Sequence, residues 1–114
     1  MQFMLMAYVE EARWPRLTKT EQEQSVAAYV AYTEALSQAG VLKGSSRLQP
    51  SLQATTVRVV DGKSQVLDGP YAEAKEQLGG YFVIDVADRD AAIAWAARCP
   101  ATTHGVVEVR PLWM

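Results

Sequence analysis

At 114 residues, 49% of them hydrophobic, the chain has material for one folded core and too little for two. Its formal charge of −2, with Lys and Arg dispersed along the chain, excludes the clustered basic footprint of a nucleic-acid-binding surface. One cysteine, Cys99, and one histidine, His104, exclude an intramolecular disulfide and any Cys/His metal-ligand spacing.

Phe3 to Val9 is a continuous apolar run, which predicts a strand buried on both faces. The run is too short to span a membrane and lacks the charged lead-in of a signal peptide, so a cytoplasmic location and no membrane association are expected. Beyond Trp14-Pro15, Thr18 and Thr20 each precede a glutamate by three residues. Either can open a helix as a capping box, hydroxyl and carboxylate together satisfying free first-turn N–H groups. Val26, Tyr29, Val30, Thr33 and Leu36 recur at helical spacing, and Gly40 is suited to end the helix.

Residues 43–53 read as a polar connection. Thr55 to Val60 and Lys63 to Leu67 read as strands joined by Asp61-Gly62, a pair that tolerates the positive φ of a two-residue hairpin turn. Leu78 to Val86 is a third, mostly apolar strand, with Gly79-Gly80 suggesting a bulge at its start. Asp88 is placed to cap a helix running through Arg98, with Ala92, Trp95, Ala96 and Cys99 on one side. Gly105 to Arg110 alternates as a final edge strand.

The order strand, helix, strand hairpin, strand, helix, strand is the ferredoxin-like β-α-β-β-α-β plan of an α+β sandwich with an extra hairpin strand. Its first and third main strands belong in the middle of the sheet, and they are the two most continuously apolar. Two helices cover only one face, so a second copy packed sheet to sheet is expected over the other, giving a homodimer.

Asp68-Gly-Pro-Tyr71, Glu73-Ala-Lys-Glu76, Gly79-Gly-Tyr-Phe82, Ala91-Ala-Ile-Ala-Trp-Ala-Ala97, Cys99-Pro100 and Gly105-Val-Val-Glu-Val-Arg-Pro111 resemble the DGPF-type branch of the YCII-related family. The match takes in most of the C-terminal half and, more loosely, the opening strand. Tyr71 stands where the DGPF signature has phenylalanine, and the early histidine-rich signature of the type YCII protein is missing. The resemblance implies a dimeric α+β barrel fold and little chemistry; one domain over residues 1–114 and no cofactor are expected. It also implies bacterial relatives, some associated with extracytoplasmic-function sigma factors, and an activity through a histidine–aspartate pair.

Two residues fit that pair. His104, just before the final strand, titrates near neutral pH and can move protons in either direction, or be a solvated loop residue. Asp85 interrupts an apolar strand, sharing a face with Tyr81 and Val83. A buried carboxylate needs a partner, so Asp85 either orients His104 or forms a structural salt bridge, with Arg110 the other candidate. Glu73, Lys75 and Glu76 follow the sharp Asp68-Gly-Pro70 turn as a solvated face or as the edge of a small-ligand site. In the latter case Lys75 or Arg110 anchors an anionic group, while Tyr71 and Tyr81 supply hydroxyl donors. Three functions follow: a cofactor-free acid–base enzyme on a small organic substrate, a non-catalytic ligand-binding or regulatory dimer tied to a sigma factor, or a purely structural dimer.

Overall fold

The computed structural model describes residues 1–113. Four strands form the main antiparallel sheet: β1 (Gln2–Val9), β2 (Leu42–Arg47), β5 (Gln77–Asp85) and β6 (Val106–Pro111), in the order β2-β5-β1-β6. Helices α1 (Lys19–Gln38) and α2 (Arg89–Arg98) lie on one face. Strands β3 (Thr55–Val60) and β4 (Lys63–Asp68) pair only with each other, as a separate two-stranded arm. Short 3-10 turns occupy Glu11–Arg16, Ser51–Gln53 and Pro100–Thr103. This is the ferredoxin-like α+β plan, with the two most apolar strands, β1 and β5, in the middle.

Two expectations need correction. The second strand of the main sheet is not the hairpin but β2, inside the stretch read as a polar connection. Only Leu42 of β2 packs against the core, so its Lys-Gly-Ser-Ser-Arg remainder joins through backbone hydrogen bonding to β5 and carries no apolar period. The hairpin adds two strands rather than one, and they stand outside the sheet. The α1 stripe is also rotated from the reading. Tyr32 and Leu36 are buried, whereas Val26 and Val30 stay exposed at 45% and 52%.

Local chemistry explains the boundaries. Thr18, not Thr20, opens α1: its Oγ1 accepts from the Glu21 N–H at 3.1 Å, and the Glu21 carboxylate accepts from the Thr18 N–H at 2.9 Å. Gly40, at φ 73°, ends it with paired bonds from Gly40 N to Ser37 O and from Val41 N to Leu36 O, a Schellman motif. Asp88 caps α2 by accepting from the Ala91 N–H at 2.9 Å. Asp61 and Gly62 both have positive φ, 52° and 76°, as the hairpin turn requires.

The core lies between the sheet and the helices. Phe3, Leu5 and Ala7 of β1 and Phe82 and Ile84 of β5 meet Tyr32, Leu36, Ala92, Ala96, Cys99 and Ala101. The Tyr32 ring stands edge-on to Phe82 at 5.2 Å, and its hydroxyl donates to Trp95 O at 2.7 Å. The opposite face of the sheet carries the alternate residues, Met4, Met6, Tyr8, Tyr81 and Val83, with Glu108 and Arg110 beside them. Neither helix packs on that side. Trp113 is fully exposed in the single chain.

Candidate functional site

Register decides which candidate residues can meet. Gln2 pairs with Asp85 and Tyr8 with Val106, so Asp85 and the approach to β6 occupy opposite ends of β1. Six residues of strand separate those ends by about 20 Å. His104 and Asp85 therefore do not form a pair. Nor is Asp85 buried: it is the last residue of β5, its side chain is 45% exposed, and its Oδ1 lies 3.2 Å from the Met1 α-amino group.

The remaining candidates scatter over three other places. Tyr81 and Arg110 lie on the open sheet face, in adjacent rows: Tyr81 with Met6 and Glu108, Arg110 with Met4 and Val83. The Arg110 guanidinium pairs with Glu108 Oε2, an oxygen closed to solvent. Tyr71 stands at the foot of the arm, 79% exposed, with the Arg58 guanidinium 5.9 Å from its ring centre. Glu73 and Lys75 are exposed in the loop before β5 and make no ion pair among the described residues.

His104 has a more defined environment. It follows the Pro100–Thr103 turn and is partly buried. Thr103 Oγ1 donates to Pro100 O at 2.8 Å and lies 2.9 Å from His104 Nδ1. A hydroxyl has one proton to give, so Nδ1 must be the donor in the second contact. With the hydroxyl proton on Pro100 O, the neutral ring carries its own proton on Nδ1 and keeps the free lone pair on Nε2. Burial, with a smaller push from the Arg13 cation, lowers the His104 pKa below its ordinary value, so the ring is neutral at pH 7.

Other groups gather at the same end. The Arg47 guanidinium stacks over Trp14, 5.4 Å from the ring centre. Burial pushes the Tyr29 hydroxyl up to about 12, the Cys99 thiol adds to the rise, and Arg47 and Arg13 oppose it. The Cys99 thiol is itself raised by burial, which makes it a packing group and not a nucleophile. No group of three or more His, Cys, Asp or Glu side chains among the described residues could hold a metal ion. No helix among them is long and apolar enough to cross a membrane.

The sequence singles out His104 but not Thr103 or Arg13, which the fold sets around it. The Thr102-Thr103-His104 run was the available signal, because a hydroxyl next to an imidazole can fix its tautomer. Arg13 gave none: only folding brings the segment after β1 toward the turn before β6. Chemically, the corner offers a neutral imidazole able to take a proton, with a cation near enough to influence it.

The YCII-related domain family matches residues 1–114. The uncharacterized protein R00369 of Rhizobium meliloti (strain 1021) is 36% identical over 116 residues, covering 98% of this chain and 92% of that protein. Among solved structures, the chain is similar to 5-chloro-2-hydroxyhydroquinone dehydrochlorinase from Burkholderia phenoliruptrix AC1100 in complex with 2,5-dihydroxybenzoquinone. The TM-score is 0.57 over 99% of this chain and 94% of that one. With 14% sequence identity, the likeness is one of fold, the dimeric α+β barrel type.

Proposed function

The chain belongs to the YCII-related family, and from that premise we propose that it is a cofactor-free enzyme acting by proton transfer on a small, acidic organic substrate. His104 is the general base. Thr103 holds Nδ1, Nε2 receives the substrate proton, and Arg13 attracts the resulting anion. Arg13 takes the anchoring role first given to Lys75 or Arg110, and Thr103 the orienting role first given to Asp85. The observation that carries the reading is the Thr103–His104 contact, which occupies Nδ1 and leaves Nε2 as the nitrogen open to a substrate proton. The fold neighbour bound to a dihydroxyquinone supports the substrate class, small hydroxylated rings whose protons are acidic.

The test uses the lone imidazole. In an NMR titration its pKa should fall below the ordinary 6.5 of histidine. Its ring signals should also move when 2,5-dihydroxybenzoquinone is added. In a screen of hydroxylated quinones and phenols, His104→Gln should lose turnover by about 100-fold or more while staying folded. An imidazole that titrates at 6.5 and ignores every probe would overturn the assignment.

The same reading takes the protein as a homodimer joined through the open sheet face. Met4, Met6, Tyr8, Tyr81 and Val83 make that face apolar, and no helix among the described residues covers it. A second copy of the same face is self-complementary about a two-fold axis.

A further inference from the structure

The arm presents a second apolar surface with no cover. Of the residues in β3 and β4, all but Thr56 are exposed. One face holds Thr56, Arg58, Gln65 and Leu67. There the chain after β4 folds back, with Gly69 N donating to Ala54 O at 2.7 Å and Thr56 Oγ1 donating to Gly69 O at 2.8 Å. Asp68 to Tyr71 thus roof a cleft of about 240 Å3 on that side. The other face is bare. Val57 sits directly opposite Val66, with Val59 next along the strand, and the three are exposed at 60%, 61% and 65%. A hairpin with no third strand or helix on its apolar face is marginal in water.

The whole molecule carries the same deficit. A compact chain of 12.5 kDa exposes about 6,200 Å2, whereas this one exposes 8004 Å2. Its radius of gyration is 16.0 Å, against about 13 Å for a compact chain of this length. The surplus is about 1,800 Å2 per chain. Doubled, it falls within the range of about 2,000–5,000 Å2 that permanent homodimers bury. The open sheet face and the arm both carry apolar surface able to contribute to it.

We propose that the β3–β4 arm is a clasp, laying its Val57–Val59–Val66 face against a second copy of this chain, which returns the same contact. The inference rests on the sheet-to-sheet dimer proposed above and adds that each arm reaches beyond its own sheet to embrace the partner. The arm then gains its missing layer only on assembly.

The test compares the wild type with the double variant Val57→Glu/Val66→Lys by analytical ultracentrifugation across a dilution series. The two positions face each other, so opposite charges keep the hairpin paired while making its face polar. Both side chains are exposed in the single chain, so the fold should survive, and circular dichroism checks this. The wild type should sediment as a dimer and the variant should dissociate at about 100-fold higher concentration or more. Hydrogen exchange at the arm amides should slow as the wild-type concentration rises through its dissociation constant. A folded variant that dimerises as tightly as the wild type would overturn the clasp and leave the sheet-to-sheet dimer standing. A monomeric wild type would overturn both.

Discussion

A Cβ added at Gly105 would lie 2.2 Å from Tyr8 O and 3.3 Å from Ala101 O. The glycine is there for proximity, because the turn carrying His104 must press against the end of β1. Gly105→Ala should cost about 3 kcal/mol, through backbone that cannot move aside cheaply. Urea unfolding would measure it, and a loss under about 0.5 kcal/mol would contradict the geometry. Gly80→Ala, whose Cβ would approach Ser46 O at 2.9 Å, should be milder. In the sequence, Gly105 looks like a turn glycine, since no local pattern reveals a carbonyl about a hundred residues away. His104 was legible because it is unique; its partner was not, and Asp85 drew attention as a carboxylate in an apolar strand. Ending that strand in solvent removes the need for a buried partner.

Among the elements, legibility followed apolar content. β1, β5, α2 and the hairpin were readable because side-chain periodicity and turn chemistry both point to them. β2 was not, because an edge strand can be held by its ladder alone, and Leu-Lys-Gly-Ser-Ser-Arg announces no face. The choice between Thr18 and Thr20 was equally closed to sequence, since both have a glutamate at the right offset. In the structure only Thr18 makes the reciprocal bonds. Thr18→Ala should therefore destabilise the protein by about 1 kcal/mol, while Thr20→Ala should stay within about 0.5 kcal/mol. Thermal unfolding of the pair separates them, and equal losses would mean the capping box contributes nothing. The cap also bears on the Glu21 carboxylate, whose pKa the Thr18 backbone and hydroxyl hold below the ordinary 4.5.

The molecule as a whole is a plate, 47 × 43 × 18 Å, with one packed layer boundary and apolar surface left uncovered on the open sheet face and the arm. Its titrating groups set limits on stability at both ends of the pH scale. His104 has a folded-state pKa below its ordinary 6.5. The unfolded chain therefore binds the proton more tightly, and stability falls as pH drops from about 6.5 through the folded-state value. Glu21, also lowered in the fold, contributes stability that is lost only below 4.5. On the alkaline side the signs reverse. Tyr29, raised by burial to about 12 from 10.0, and Tyr32, raised further by burial, keep their protons longer in the fold. Their contribution is complete below pH 10 and is lost as pH rises through the folded-state values. The urea midpoint should thus be flat from about pH 6.5 to 9, where the unfolded-state Cys99 thiol ionises ahead of the buried one, with an acid limb that starts well above the carboxylate range. His104→Gln removes that upper part of the acid limb if the imidazole causes it. The slope between pH 6.5 and 4.5 should then disappear in the variant while the alkaline limb is unchanged. An identical acid slope in both proteins would mean His104 is as accessible to protons in the fold as in the unfolded chain, and the burial that lowers its pKa would be refuted.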